Sequence, residues 1–131
     1  MWLQPHKHAI LTKNIYYPLS QKGRTMAIEL TDTNFKDTVK ESDKPVVIKA
    51  FATWCGPCQQ MEPIFHEVEK EFEGKATFTT LDVDNARELA IELGITSVPT
   101  TILFKNGEVS SKEVGFISKD DLTSKIEAFL G

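Results

Sequence analysis

The sequence predicts an α/β protein: a central mixed β-sheet with helices on both faces, in the order βαβαβαββα. Three observations carry this reading. From Met26 onward, short β-rich runs alternate with amphipathic helical patterns. The run Val46-Val47-Ile48-Lys49-Ala50-Phe51-Ala52 is almost continuously apolar, as a central strand covered on both faces has to be. Near the end, Asn106-Gly107 separates two further runs, the strongest short signal for a tight antiparallel hairpin.

Taken in order, Ala27 to Leu30 reads as a short strand. A helix follows from about Asn34 to Lys40, with capping candidates at Thr31, Asp32 and Thr33 and with Phe35 and Val39 on one face. Pro45 precedes the apolar central strand. Beyond the cysteines, Met61, Ile64, Phe65, Val68 and Phe72 form the buried stripe of a helix that runs to about Glu73 and stops at Gly74. Pro63 inside that pattern should kink the helix without ending it. A strand over Ala76 to Val83 leads through Asp84-Asn85 to a helix over about Ala86 to Leu93, stopped by Gly94. The hairpin strands are Thr100 to Lys105 and Glu108 to Val114, and a last helix, capped by Ser118, buries Leu122, Ile126 and Phe129 on its way to Leu130.

At 131 residues the chain has room for one domain with a hydrophobic core, and 40% hydrophobic with 26% charged residues is the balance of a folded protein. The predicted domain covers residues 26–131. Residues 1–25 hold Lys7, Lys13, Lys22 and Arg24 and no acid, and they lack helical or strand periodicity. They read as a disordered tail or a leader upstream of Met26 rather than a targeting peptide, because one Arg, one Ser and no secretory apolar core make a poor targeting signal. Subtracting their +4 from the net charge of -4 leaves the domain at -8, which argues against nucleic-acid binding through phosphates. No apolar run reaches the roughly 18 to 20 residues needed to cross a bilayer, so no membrane partner is expected.

The two cysteines, Cys55 and Cys58, are separated by two residues. A disulfide closing so small a loop would constrain the unfolded chain little, and two thiols fall short of the four ligands of a structural zinc site, which His6, His8 and His66 do not complete. The pair therefore reads as chemistry, with no metal, rather than as small buried hydrophobes. Cys55 falls where the central strand gives way to a helix, so free backbone N–H groups and the helix dipole can favour its thiolate. Cys58, one turn inside and less exposed, is placed to attack Cys55 after Cys55 has attacked a substrate disulfide. Pro57 suits the first helical turn and stiffens the loop, Gly56 leaves room for a substrate chain, and Trp54 offers an apolar flank.

Over residues 26–131 the sequence resembles the thioredoxin family. The resemblance rests on Ala52-Thr53-Trp54-Cys55-Gly56-Pro57-Cys58, Pro63, Val83-Asp84, Ser97-Val98-Pro99-Thr100, Phe104-Lys105-Asn106-Gly107-Glu108 and Val114-Gly115. It implies the thioredoxin fold and reduction of protein disulfides through a Cys55/Cys58 dithiol–disulfide cycle. It further implies no cofactor beyond that redox-active disulfide, disulfide-containing protein substrates, a thioredoxin reductase as electron donor, and a monomer. The resemblance also implies a cis Val98-Pro99 bond and a substrate groove of Trp54, Gly56, Pro57, Val98, Pro99 and Gly115; read without it, Pro99 could open the next strand in trans and Gly115 could be an ordinary strand-end glycine. A cytoplasmic location is the default in the absence of a secretory signal and of further cysteines, with an organelle open should residues 1–25 be a targeting peptide.

One position departs from the family pattern. Thioredoxins usually carry a buried aspartate six residues before the first cysteine, often with a lysine on the adjacent strand; here Lys49 and Thr80 occupy those places. Two readings of Lys49 stand side by side. Either its stem lies on the surface with the ammonium in water, or it sits near Cys58 and alters the proton affinity of that thiol. The second would encourage an oxidant or isomerase, although Gly-Pro between the cysteines favours a reductase. A redox-silent binding module is the reading from another class.

Overall fold

The computed structural model describes residues 27–131, so the tail or leader expected over residues 1–25 lies outside the described residues. The elements follow the predicted order: β1 (Ile28–Glu29), α1 (Lys36–Lys40), β2 (Val46–Phe51), α2 (Gly56–Glu71), β3 (Thr77–Asp82), α3 (Arg87–Glu92), β4 (Thr100–Lys105), β5 (Glu108–Val114) and α4 (Lys119–Leu130). The sheet order is β1-β3-β2-β4-β5. β3 pairs in parallel with β1 and β2, whereas β4 runs antiparallel to both β2 and β5.

Successive residues of β2 serve opposite layers, which is why its sequence is apolar throughout. Val46, Ile48 and Ala50 pack with Phe35, Val39, Leu81, Leu89 and Ile102 beneath α1 and α3. Val47 packs on the other side with Met61, Phe65, Val68, Leu122 and Ile126 from α2 and α4. Edge-to-face ring pairs join each layer to the sheet, Phe35 with Phe104 at 5.8 Å and Phe65 with Phe78 at 5.5 Å between centroids.

The first helix is shorter than its pattern predicts. Thr31 and Asn34 spend their side chains on the loop: Asn34 Oδ1 accepts from the Thr31 N–H at 2.8 Å, Thr31 Oγ1 accepts from the Asn34 N–H at 3.1 Å, and Asn34 Nδ2 donates to the Glu29 carbonyl at 3.0 Å. This reciprocal pair closes the turn that leads into α1. The whole of Lys36–Lys40 is wound as a wide π-type turn, with the Glu41 N–H donating to the Lys36 carbonyl at 3.0 Å. The expected strand over Ala27 to Leu30 likewise shrinks to Ile28–Glu29.

Elsewhere local chemistry sets the boundaries closely. α2 passes through Pro63, which lies on its exposed side, and ends at Glu71 with Phe72 as its C-cap, two residues before the positive-φ Gly74. Ser118 Oγ caps α4 by accepting from the Asp121 N–H at 3.2 Å. Asn106 and Gly107 have φ of 56° and 81°, the two left-handed residues of a tight hairpin turn. The β4–β5 ladder slips register between Leu103 and Phe104, a bulge that bends the outer strand. Lys119, at the start of α4, ties that helix to α2 through Glu71 at 3.0 Å and Glu67 at 3.2 Å. The hydrogen bond that Lys119 donates to Glu71 is the main cause that raises its pKa above 10.5, with Glu67 adding to it.

Candidate active site

β2 delivers the chain to the C-terminal end of the central strand and α2 carries it away, and Cys55 stands between them. Its φ of -91° and ψ of 116° are extended, so it is the N-cap residue of α2, with Pro57 in the first turn. The Cys58 N–H donates to Cys55 Sγ at 3.2 Å. A sulfur thus occupies the place where a serine or aspartate oxygen usually accepts the free N–H groups of a helix start, and a negative charge on it meets both that donor and the positive end of the helix dipole. Cys55 and Cys58 are joined as a disulfide with their Cα atoms 5.3 Å apart. The expected difference in exposure is slight: Cys55 is 5% and Cys58 3% exposed, because both sulfurs pack with Ala52, Phe51, Val83 and Val98.

The loop before β4 brings the second wall. The Val98-Pro99 peptide bond is cis, and the Val98 carbonyl oxygen lies 3.8 Å from Cys55 Sγ, where the thiol of the reduced form would donate. Pro99 is buried, and its carbonyl accepts from the Gly115 N–H at 2.8 Å. Gly115 has a φ of 98°, a conformation side-chain-bearing residues rarely adopt, so glycine there is required by the backbone and is more than a strand terminator. Gly56 and Pro57 are exposed over the sulfurs.

Trp54 is 71% exposed, and its indole N–H is anchored by Asp84 Oδ2 at 2.9 Å. Asp84 is itself positioned by its backbone N–H bonded to Asp82 Oδ1 at 2.9 Å. A cleft of about 430 Å³ opens beside the disulfide between Trp54, Val83, Ile95, Thr96, Ser97 and Val98. Its mostly apolar walls and open end suit an extended polypeptide segment. Gln59 steadies the same loop by donating to the Thr53 carbonyl at 3.2 Å.

Lys49 does not reach the surface. It is 1% exposed, on the face of β2 that looks toward α2, and pairs in register with Thr80 on β3 and Thr101 on β4. The reading of Lys49 as a surface-seeking lysine is therefore corrected: the strand is central, and helix α2 closes over the end of its side chain. Lys49 Nζ lies 3.3 Å from Glu62 Oε2 and within 5.3 Å and 5.1 Å of the Phe51 and Phe65 ring centroids. Glu62 was not singled out from the sequence, and Asp84 stood there only as part of the Val83-Asp84 strand end. The spacing of four residues from Cys58 could have flagged Glu62, whereas nothing local marks Asp84 as the anchor of Trp54. Among the described residues, no group of three or more His, Cys, Asp or Glu side chains is placed to hold a metal ion, and no helix is long and apolar enough to cross a membrane.

Comparison with known proteins agrees with this geometry. The thioredoxin family model matches residues 26–128. A thioredoxin of Rickettsia felis is 42% identical over 97 residues, covering 74% of this chain and 92% of that protein. A thioredoxin of Chlorobaculum thiosulfatiphilum is 37% identical over 103 residues, covering 79% and 95%. A chloroplastic M-type thioredoxin of Spinacia oleracea is 38% identical over 102 residues, covering 78% of this chain and 56% of that longer protein. With this family match over most of the chain and a Cys55–Cys58 disulfide at the start of α2, the chain belongs to the thioredoxin family of thiol–disulfide oxidoreductases.

Proposed function

We propose that the chain is a general reductase of protein disulfides in which Cys55 is the nucleophile and Cys58 the resolving thiol. The observation that carries the assignment is the Cys58 N–H donated to Cys55 Sγ at the start of α2, at 3.2 Å. It favours the thiolate of Cys55 over that of Cys58. In the cycle, the Cys55 thiolate attacks one sulfur of the substrate disulfide and the other leaves as a thiolate. Cys58 then attacks Cys55 Sγ, the bond from Cys55 to the substrate breaks, and the second substrate sulfur leaves. Two electrons pass to the substrate and the Cys55–Cys58 disulfide remains.

Trp54, Gly56, Pro57 and Pro99 shape the surface around the sulfurs, and Val98 and Gly115 line the groove in which an extended substrate segment lies against the backbone. Lys49 supports the site from below. A separate thioredoxin reductase returns the electrons, and the chain works as a monomer in the cytoplasm. The similarity to a chloroplastic relative makes an organelle the alternative, decided by locating a fluorescent fusion with and without residues 1–25.

The first test is the equilibrium redox potential of the Cys55–Cys58 pair against a dithiothreitol couple. A value near the -270 mV or so typical of thioredoxins supports the reductase; one tens of millivolts higher replaces it with an oxidant or isomerase. Glu62 beside Lys49 speaks for the reductase, because the carboxylate offsets the cation that would otherwise favour thiolates. Cys58→Ser should trap a mixed disulfide through Cys55, and Cys55→Ser should trap none.

A further inference from the structure

A buried cation in the core of a small domain calls for a reason. Taking an ammonium out of water costs several kcal/mol unless it is paired, and a well-packed apolar side chain in its place is often neutral or stabilising. Stability alone therefore does not account for Lys49, which is 1% exposed on a strand that ends four residues before Cys55. Its ammonium rests between the faces of Phe51 and Phe65 and is paired with Glu62 at 3.3 Å.

Glu62 follows Cys58 by four residues on α2, so the two side chains share a helical face with their Cβ atoms about 6 Å apart. Helical side chains lean toward the N-terminus, which tips the Glu62 carboxylate back over the turn that holds Cys58. The thiol and the carboxylate differ in their access to water: Cys58 is 3% exposed, whereas the Glu62 side chain is 44% exposed. Glu62 thus lies one turn beyond a buried sulfur with its carboxylate open to solvent, and Lys49 holds that carboxylate at 3.3 Å. We infer that Glu62, held by the buried Lys49, is the group through which the proton of Cys58 leaves for solvent when Cys58 attacks the mixed disulfide.

The inference rests on the assignment of Cys58 as the resolving thiol. As the Cys58–Cys55 bond forms and the Cys55–substrate bond breaks, the Cys58 proton passes to the Glu62 carboxylate, directly or through one water, and from there to solvent. The departing substrate sulfur carries away the electron pair of the broken bond. Other charged groups near the pair are otherwise engaged or more distant. Asp82, in register with Phe51 at the end of β3, accepts from the Asp84 and Asn85 backbone N–H groups. Glu113 on β5 is taken by Lys125 of α4 at 3.1 Å. His66 stands one further turn along α2, and the neighbouring strands present the uncharged Thr80 and Thr101. Lys119 on α4 is held by Glu67 and Glu71.

The test uses the full chain, reduced, mixed with a disulfide-bonded protein in a stopped-flow instrument between pH 5 and pH 9. The concentration-dependent phase reports attack by Cys55, and the limiting first-order phase reports resolution by Cys58. Glu62→Gln should slow the resolving phase on the order of 100-fold near neutral pH and remove an ionisation from its pH profile, with the Cys55 phase unchanged within about twofold. Lys49→Met should slow the same phase by less, since the carboxylate remains but is no longer held. If the cation left unpaired by Glu62→Gln unfolds the protein, the double variant K49M/E62Q, which retains neither charge, carries the same expectation. A resolving phase in E62Q, or in a folded K49M/E62Q, that superimposes on the parent at every pH overturns the inference while leaving the reductase intact. Release of reduced substrate by Cys58→Ser at the parental rate overturns the assignment of Cys58, and the inference with it.

Discussion

Asp32, in the loop after β1, accepts a hydrogen bond from the backbone N–H of Leu89 at 3.1 Å, across 57 residues of sequence. Leu89 lies in the first turn of α3, whose own N-cap position, Ala86, supplies no side-chain acceptor. The cap of one helix is thus lent by the loop that leads into another. Replacing Asp32 with alanine should lower unfolding free energy by about 1 kcal/mol, as loss of a helix cap does. Denaturant unfolding measures it; a loss below a few tenths of a kcal/mol would mean that water caps α3 equally well.

The hairpin between β4 and β5 depends on Gly107. Its φ is 81°, and a Cβ there would come within 3.1 Å of the Lys40 carbonyl oxygen. Both the left-handed backbone and the close approach oppose a side chain, so Gly107→Ala should destabilise the fold by about 1 to 2 kcal/mol. The redox potential of the cysteine pair, at the other end of β4, should not move. A potential shifted along with the stability would show that the hairpin and the site are coupled.

Phe65 is fully buried, makes an edge-to-face pair with Phe78 and lies under the Lys49 ammonium. Phe65→Ala removes a packed ring from the centre of the α2 layer, and the expected cost is about 3 to 5 kcal/mol. It also exposes the Lys49–Glu62 pair to water. Thermal unfolding of the variant should therefore start well below that of the parent, and an unchanged transition would contradict the packing.

Lys119 offers a pH dependence with a definite sign. Glu71 first, and Glu67 next, raise its pKa above 10.5 in the folded state. A group whose folded pKa is raised stabilises the fold below its unfolded pKa and loses that contribution as pH rises through the folded value. The stability difference between the parent and Lys119→Met should therefore be constant at neutral pH and disappear in strongly alkaline solution. It should also be small and shrink with salt, since the side chain is well exposed. A difference that grows with alkalinity would reverse the assignment.

Much of the architecture could be read from the chain because the signals are local. Both hairpin strands have the predicted bounds, since Asn106-Gly107 allows one kind of turn and alternation on either side does the rest. Ser118 caps the helix it was expected to cap. The place of Cys55 at a strand-to-helix junction also followed from neighbours within a few residues. Where several polar residues stood together the reading stayed open: of the candidates Thr31, Asp32 and Thr33, Thr31 closes the turn before α1 in a reciprocal pair with Asn34, whereas Asp32 turns away to α3. Side chains that can bond to any nearby backbone group are assigned only when the tertiary fold decides which group is near.

The same division runs through the site. Alternating hydrophobicity and the Cys55-to-Cys58 spacing are properties of short segments, so the sequence by itself determined the order of elements and the place of the two sulfurs at the start of α2. Lys49 in an apolar strand allowed two fates, because a lysine's energy depends on whether water or a partner reaches its ammonium. Only the packing of α2 against β2 decided between them, by bringing Glu62 to 3.3 Å from Nζ. Trp54 and Asp84 likewise meet across 30 residues because β2 and β3 are parallel neighbours that end together at the same edge. Charges and hydrogen-bond partners distant in sequence carry no periodic signal, and their contacts exist only once the sheet has set the register.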